Sequence, residues 1–321
     1  MGGTAIGAAR GAADGSGFPL VSAIITTHDR YDYLQLAVKS MLEQTYQNME
    51  YIVVDDAADD WTCAYLDRLE TEVPRFTHVH VPPEESCGGN HARNLGAAAA
   101  KGEYLAFLDD DDEWMPEKTA KQVALFREGV GLVYCRKVLE HVDGVHEPWR
   151  EEGSHVEREF TGDLSQRCLT RIFCTTSQVM LSRDVFQRVG GFDESLAFWQ
   201  ETELVIRVCQ IARVDAVDEP LMVLRLNTAD PGRLTNKYDG WVAAVEQIDA
   251  KHADLIAALP LAYKRERELM ILRDALRRQQ QCGLVREQRE TLRRIWRITR
   301  RPKDFVKYVL NRPRLKPQRR R

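Results

Sequence analysis

No stretch of this 321-residue chain offers the roughly 20 consecutive apolar residues that a bilayer-spanning helix needs, so a transmembrane span is not expected. The opening residues, Met1 to Gly17, lack the basic-then-apolar order of a secretory leader. Ile6 stands where an N-myristoylation motif carries serine or threonine. Rich in glycine and alanine, residues 1–18 read as a disordered tail on a cytoplasmic protein. Paired cysteine spacings are missing too. The seven cysteines (Cys63, Cys87, Cys135, Cys168, Cys174, Cys209 and Cys282) are odd in number, scattered and never arranged as Cys-x-x-Cys. That argues against a disulfide framework or a structural zinc site, and for reduced thiols buried as small apolar groups. No internal repeat is present. The 44% of hydrophobic residues nevertheless suffices for a sizeable core.

A net charge of −4 hides an uneven distribution. From Leu261 to Arg321 there are 21 Lys/Arg against 6 Asp/Glu, a surplus of +15, while the first 260 residues carry −19. The basic end reads either as a solvated helical face or as a surface for anionic lipid headgroups, at about 1 kcal/mol per basic residue near a charged leaflet. It lacks the interleaved aromatics of a single-strand binder, so nucleic acid is not expected as a partner. An assembly of identical chains is compatible with the sequence.

Strand and helix signals alternate through the first half in the manner of βαβ units. Val21 to Ile25, Tyr51 to Val54, Thr77 to Val81 and Tyr104 to Leu108 read as strands. Between them, Leu34, Val38, Met41 and Leu42 share one helical face, Trp61 to Glu70 forms a second helix, and Gly88-Gly89-Asn90 opens a third. Pro116 fits the first turn of a further helix. Beyond Gly131 the pattern changes: strands are expected at 131–135, 177–181 and 219–226, and a loop or hairpin near 140–160. Helices are expected at 184–189 and 201–212, the first closed by the Gly190-Gly191 cap. From Gly240 the chain is helical, with breaks near Pro260, Gly283 and Pro302. The resulting division is a tail (1–18), a nucleotide-binding half (19–130), an acceptor-shaping half (131–238) and a basic helical region (239–321).

Four consecutive carboxylates, Asp109 to Asp112, end the fourth strand. Like charges this dense repel one another unless a cation lies among them, so the run reads as a divalent metal site. The alternative is an acidic N-cap cluster for the helix expected near Met115. The second strand also ends in carboxylates, Asp55 and Asp56, and the first in Thr26-Thr27-His28-Asp29-Arg30. Polar residues at the carboxyl ends of neighbouring buried strands are what an open parallel sheet presents to a ligand. An EF-hand is not indicated, because the quartet lacks alternating acids and a central glycine. Nor does Thr27 to Arg30 contain the glycine of a triphosphate-gripping loop, which counts against a sugar nucleotidyltransferase.

Six segments in order resemble family 2 of the inverting glycosyltransferases, with the GT-A fold. They are Val21 to Arg30, Ile52 to Asp60, Ala92-Arg93-Asn94-x-Gly96, Gly102 to Asp112, Gly190-Gly191-Phe192-Asp193-Glu194, and Gln200-Glu201-Thr202-Glu203-Leu204. The resemblance covers about residues 20 to 230. It implies an α/β fold, a Rossmann-like mostly parallel sheet flanked by helices, with the C-terminal helices as an extension. It also implies a nucleotide-sugar donor, a UDP-sugar first, a divalent metal (Mn²⁺ or Mg²⁺), and a saccharide or lipid-linked acceptor of the cell envelope. By analogy with the family's Asp-x-Asp motif, Asp111 is the direct metal ligand and Asp109 or Asp110 faces the ribose. Asp56 accepts the imide N–H of the base, and Thr26, His28 and Arg30 line its pocket, with His28 where tyrosine is commoner. Arg93 and Asn94 either touch the diphosphate or pair with the surplus carboxylates. The catalytic base is Glu201, with Glu203 as fallback, although the family carries Glu-Asp where this chain has Gln200-Glu201. Trp199 is either a sugar-stacking platform or core; Asp193 and Glu194 either shape the acceptor site or cap. Arg225, Asn227, Asp230 and Arg233 lie in or beside a polar loop of the kind that closes over donor phosphates. The expected location is the cytoplasm, peripherally at the inner face of the membrane.

Overall fold

A computed structural model describes residues 17–28, 30–143, 147–227 and 238–310. The elements of its first half are β1 (Val21–Thr27), α1 (Tyr31–Leu42), β2 (Met49–Asp56), α2 (Asp60–Glu72), β3 (Phe76–Val81), α3 (Gly89–Ala99), β4 (Tyr104–Asp109), β5 (Glu113–Trp114) and α4 (Lys118–Val123). There follow β6 (Val130–Val142), β7 (Trp149–Glu152), β8 (Met180–Ser182), α5 (Arg183–Arg188), α6 (Gln200–Cys209) and β9 (Arg213–Asn227). Among the described residues nine strands form one sheet in the order β3-β2-β1-β4-β8-β6-β9-β5, with β7 paired to β6. The β3-β2-β1-β4 half is wholly parallel, and β8, β5 and β7 join antiparallel to it or to its continuation. Such strands are covered on both faces, which is why β1 is buried at every position and its sequence does not alternate.

Close helix packing on this sheet depends on small residues. A Cβ at Gly96 of α3 would lie 2.5 Å from Ile24 Cγ2 and 3.2 Å from Val54 Cγ2, so glycine lets the helix rest directly on β1 and β2. The start of α3 then clamps a distant turn. Asn94 Oδ1 accepts from Phe192 N (2.9 Å), and Asn94 Nδ2 donates to Phe192 O (3.0 Å) and Glu194 Oε1 (2.7 Å). Asn90 Nδ2 donates to the carbonyls of Asp193 (2.9 Å) and Leu196 (2.7 Å). Gly191, at φ +71°, is required here, since a Cβ would sit 2.7 Å from Asn94 Oδ1.

Two strand boundaries differ from the sequence expectation. Residues 177–181 do not form one strand: Thr176–Gln178 is a 3₁₀ turn, closed by a capping box between Thr175 and Gln178, and only Met180–Ser182 pairs. The last strand begins at Arg213 rather than Glu219, because β9 runs parallel to β6 over nearly its whole length, with bulges that absorb the register shifts near Pro220. The stretch near 140–160 is a hairpin, Val138 to His141 facing Glu152 to Trp149. The helix after Pro116 starts at Lys118. The expectations for residues 1–16, Asp230 and Arg233 lie outside the described residues.

Contacts divide the chain into two compact units. The first holds the sheet, residues 1–165, 173–196 and 200–227; the second holds 166–172, 197–199 and 228–321. Helices of the second unit are α7 (Tyr238–Lys251), α8 (Ala253–Ala258), α9 (Leu261–Gln281), α10 (Val285–Thr299) and α11 (Pro302–Leu310). The breaks fall where proline and glycine require: α9 follows Pro260, Gly283 takes φ +67°, and Pro302 opens α11. The core of this unit includes Trp199, Trp241, Ile248, Leu272 and Leu292. No described helix is long and apolar enough to cross a membrane.

Candidate active site

Register places the acidic strand ends side by side. Thr26 on β1 faces Asp109 on β4, and Thr27 faces Asp55 on β2, so the carboxyl ends of the three strands make one edge. The quartet fans out beyond it. Asp109 pairs with Arg93 (2.6 Å). Asp110 accepts from Thr27 Oγ1 (2.8 Å) and lies 3.3 Å from Arg30 Nη1, which also reaches Asp111 at 2.9 Å. Asp112 turns inward and accepts from Ser177 Oγ (2.6 Å) and Arg225 N (3.1 Å). Ser177 Oγ in turn accepts from Asp109 N (3.0 Å), which explains why the chain spends a 3₁₀ turn on that residue.

Two guanidiniums thus face four carboxylates, and the deficit appears in the protonation equilibria. Burial pushes the Asp110 carboxyl up to about 6, and the Asp111 charge adds to the rise while Arg30 and Thr27 oppose it. Burial, then the charges of Asp111 and Asp109, hold Asp112 well above the ordinary carboxylate range. Asp111 is different, its side chain 36% exposed against 8% for Asp110. The donor set is all hard oxygen, with one carboxylate open to solvent. This is a fit for Mg²⁺ or Mn²⁺, which are held by one or two carboxylates together with substrate phosphates.

The raised value at Asp110 has a measurable consequence. Its folded pKa lies above its unfolded value of 3.8, so the native state binds more protons between about pH 4 and 6 and stability from this group falls as pH rises through that window. The loss by neutral pH is on the order of 2–3 kcal/mol. Urea denaturation in chelator from pH 4 to 7 should show that slope in the wild type and a flatter one in Asp110→Asn.

Asp56 is buried at the end of β2. Its Oδ2 accepts from Gly88 N (3.1 Å), but Oδ1 has no hydrogen-bond partner. A buried carboxylate oxygen without a donor is a costly arrangement. Beside it, His28 Nδ1 is hydrogen-bonded to the Asp56 carbonyl, which fixes the exposed ring at the strand edge. Thr26 is buried beneath.

Glu201 lies in the first turn of α6 and is half-buried. Burial raises its carboxyl pKa and the Asp109 charge adds to it, while its own backbone N–H, Arg93 and Lys137 pull the other way. Glu203, the fallback, is fully buried in an ion pair with Arg207, whose Nε and Nη2 reach its two oxygens at 2.5–3.0 Å. Both of its oxygens are held by Arg207, so it serves the packing of α6 and not proton transfer.

At several other residues the contacts match one of the two alternatives that the sequence left open. Arg93 is mostly buried against Asp109, Asn90 and the Phe192 ring, so it neutralises the quartet. Asn94 is consumed by the 192–194 turn. Trp199 is core, its Nε1 donating to Asp274 (3.1 Å) and its ring meeting Trp241 edge-on. Asp193 caps Ser195 (3.0 Å) and Glu194 binds Asn94 and His91, so both hold the turn. Arg225 is a strand residue tied to Glu113, Glu140 and the Asp111 carbonyl, not a donor clamp, and Asn227 donates to Tyr33 Oη (3.3 Å). Ser177 and Lys137 were not anticipated. Lys137 Nζ donates to Gln178 Oε1 (3.2 Å), burial lowers its pKa, and the charges of Asp112 and Glu201 oppose that shift. A lysine in a strand gives no local signal of this.

A mostly parallel sheet half whose strand ends gather an acid quartet and a buried carboxylate with an unsatisfied oxygen is the arrangement of an α/β protein that takes its ligand at the sheet edge. Comparison with known proteins makes the assignment specific: residues 22–190 match the model of glycosyl transferase family 2, and the chain belongs to that family. An uncharacterised glycosyltransferase of a Nostoc species is 26% identical over 213 residues, 65% of this chain and 66% of the relative. The match therefore spans about two thirds of that relative's length. Among solved structures, S. aureus TarS 1-349 in complex with UDP-GlcNAc superposes with a TM-score of 0.59 at 15% identity, covering 87% of this chain and 82% of that one. The mannosyltransferase PcManGT of Pyrobaculum calidifontis, in complex with GDP-Man and Mn²⁺, gives 0.54 at 18%, covering 94% and 86%. The fold is the GT-A fold that the motifs implied.

Proposed function

We propose that the protein is a metal-dependent inverting glycosyltransferase that moves a sugar from a nucleoside diphosphate sugar to an acceptor hydroxyl. The observation that carries this reading is the shared edge of β1, β2 and β4, where the carboxylate quartet adjoins the partnerless Asp56 oxygen. Asp111 and the donor's phosphates would hold a divalent cation, which when bound supplies Lewis-acid stabilisation of the leaving diphosphate. Asp109 or Asp110 faces the ribose, and Thr26, His28 and Arg30 border the base and phosphates. Glu201 takes the acceptor proton during in-line attack, a task suited to a carboxylate whose pKa is raised toward the working pH. A UDP-sugar is the first candidate donor, because uracil presents one imide N–H to Asp56.

Asp56→Asn offers an amide to that N–H or turns its own N–H toward it. We expect UDP affinity to fall by roughly 10- to 100-fold, on the order of 1–3 kcal/mol, read by calorimetry. Unchanged affinity would remove Asp56 from the base pocket. The reaction itself is tested by incubating the protein with UDP-, GDP- and CMP-sugars, Mn²⁺ and a panel of saccharide and lipid-linked acceptors. Proton NMR of the product anomer should then show inversion; a retained anomeric configuration would exclude the reaction class.

The second unit supports a peripheral contact with an anionic membrane on the cytoplasmic side. On α11, Phe305, Val306 and Leu310 are exposed (43%, 50% and 75%), with Arg300, Arg301, Lys303 and Lys307 around them. Trp296 packs on Phe305 and Tyr308 behind this face. Basic charge beside exposed apolar side chains is the composition of an interfacial helix. Vesicles containing phosphatidylserine should co-sediment with the protein, and the combined change Phe305→Ser, Lys303→Glu, Lys307→Glu should release it. Equal sedimentation of that variant, or equal binding to neutral vesicles, would reject the contact.

A further inference from the structure

On the other face of β2 from Asp56 lies a cluster that the transfer reaction does not use. Successive strand residues point to opposite faces, so Asp55 projects away from the base pocket. Register on β3 sets His80 directly opposite Asp55, with His78 two residues earlier on the same face. On α2, Cys63 and Asp67 are separated by four residues and so share a helical face. The three elements converge. His80 Nδ1 is 2.8 Å from Asp55 Oδ1 and 3.8 Å from Cys63 Sγ, and one donor atom each from Asp55, Cys63 and His80 lies within 4.8 Å of the other two.

We propose that Asp55, Cys63 and His80 form a second metal centre, for zinc or a similar borderline divalent ion, independent of the strand-end quartet. Thiolate, imidazole and carboxylate together suit such an ion far better than they suit Mg²⁺. The outer shell is already built. His78 Nε2 holds Asp55 Oδ2 while its Nδ1 is held by Asp67 (2.7 Å), an arrangement that fixes the carboxylate and leaves Oδ1 toward His80 and Cys63. On binding, the ion takes the Cys63 sulfur and one proton leaves to solvent, while the His80 proton resides on Nε2. The His80 side chain is 48% exposed, so solvent can supply the fourth ligand. The spacing of cysteines could not reveal this centre, because it draws one ligand from each of three elements.

Chelator-treated protein titrated with Co²⁺ should develop a thiolate-to-cobalt charge-transfer band and intense visible bands at one equivalent. Zinc should bleach both, and the melting temperature should rise with zinc in the wild type but not in Cys63→Ser. Cys63→Ser should abolish the charge-transfer band and His80→Asn should weaken cobalt binding at least about tenfold, as loss of one ligand predicts. Asp111→Ala and Cys87→Ser should leave the spectrum unchanged, which separates this centre from the quartet and from the exposed Cys87. Circular dichroism checks that each variant is folded. Absence of the band in wild type, its persistence in Cys63→Ser, or its loss in Asp111→Ala overturns the proposal.

Discussion

Glu201→Gln is expected to lower kcat by roughly 10²- to 10⁴-fold, the usual worth of a positioned general base, while donor affinity measured by calorimetry stays unchanged. The amide keeps the shape of the side chain and removes only its capacity to take a proton. Glu201→Asp should recover part of the rate, because it keeps a carboxylate and changes only its reach. The pH profile gives a further check. The base must be ionised, and burial raises its folded pKa above the ordinary 4.5, so the acid limb of kcat/KM should fall at a pH above that of an exposed glutamate. Glu203→Gln should behave in the opposite way. It leaves the Arg207 guanidinium without its buried partner, at a cost of about 3–5 kcal/mol of stability, and does not move the pH profile of what remains folded. Retained turnover in Glu201→Gln would discard this base.

Asp111→Ala is expected to remove the metal-dependent part of nucleotide affinity and to reduce turnover by about 10²- to 10³-fold, corresponding to several kcal/mol of transition-state charge stabilisation. Stability should hardly change. The pair that Asp111 makes with Arg30 joins two side chains that are each more than a third exposed, and such pairs contribute about 0–1 kcal/mol. This split between function and stability separates the metal reading from the alternative that the quartet merely caps a helix. The helix that follows begins at Lys118, and no side chain of the quartet caps it. The capping account is therefore already weak on geometry.

How far the sequence determined these assignments can be argued residue by residue. The strands β1, β2 and β4 were legible because they are buried on both faces and end abruptly in polar residues, a pattern that local order carries by itself. The helix breaks at Pro260, Gly283 and Pro302 were legible for the same reason: proline and glycine act on the backbone locally. What local order does not carry is which side chains meet across the fold. Asn94 looked available for phosphate until the 192–194 turn, about a hundred residues away, was seen to use all of its amide. Glu203 and Glu201 are both first-turn acids of one helix, and Glu203 pairs with Arg207 one turn further on, an i, i+4 spacing that the sequence does carry. Ser177 read as a strand residue because its neighbours are apolar, whereas the need to bridge Asp109 N and Asp112 imposes a 3₁₀ turn. Arg225 was read at the end of a strand, beside a loop of the kind that closes over phosphates, and two glutamates and the Tyr33 ring fix its side chain in β9. Apart from the Glu203–Arg207 pair, the missing information was a contact of long sequence separation.

The central claim is that the surplus negative charge at the joined ends of β1, β2 and β4 serves to hold a cation against a nucleoside diphosphate. Calorimetry of UDP, GDP and CMP in chelator and with Mn²⁺, on wild type and Asp111→Ala, tests it most directly. The account predicts that Mn²⁺ tightens the binding of a diphosphate, UDP foremost, in the wild type, that it does little for CMP, and that Asp111→Ala loses the gain. Equal affinity for UDP with and without metal, or a full metal effect in Asp111→Ala, would contradict it.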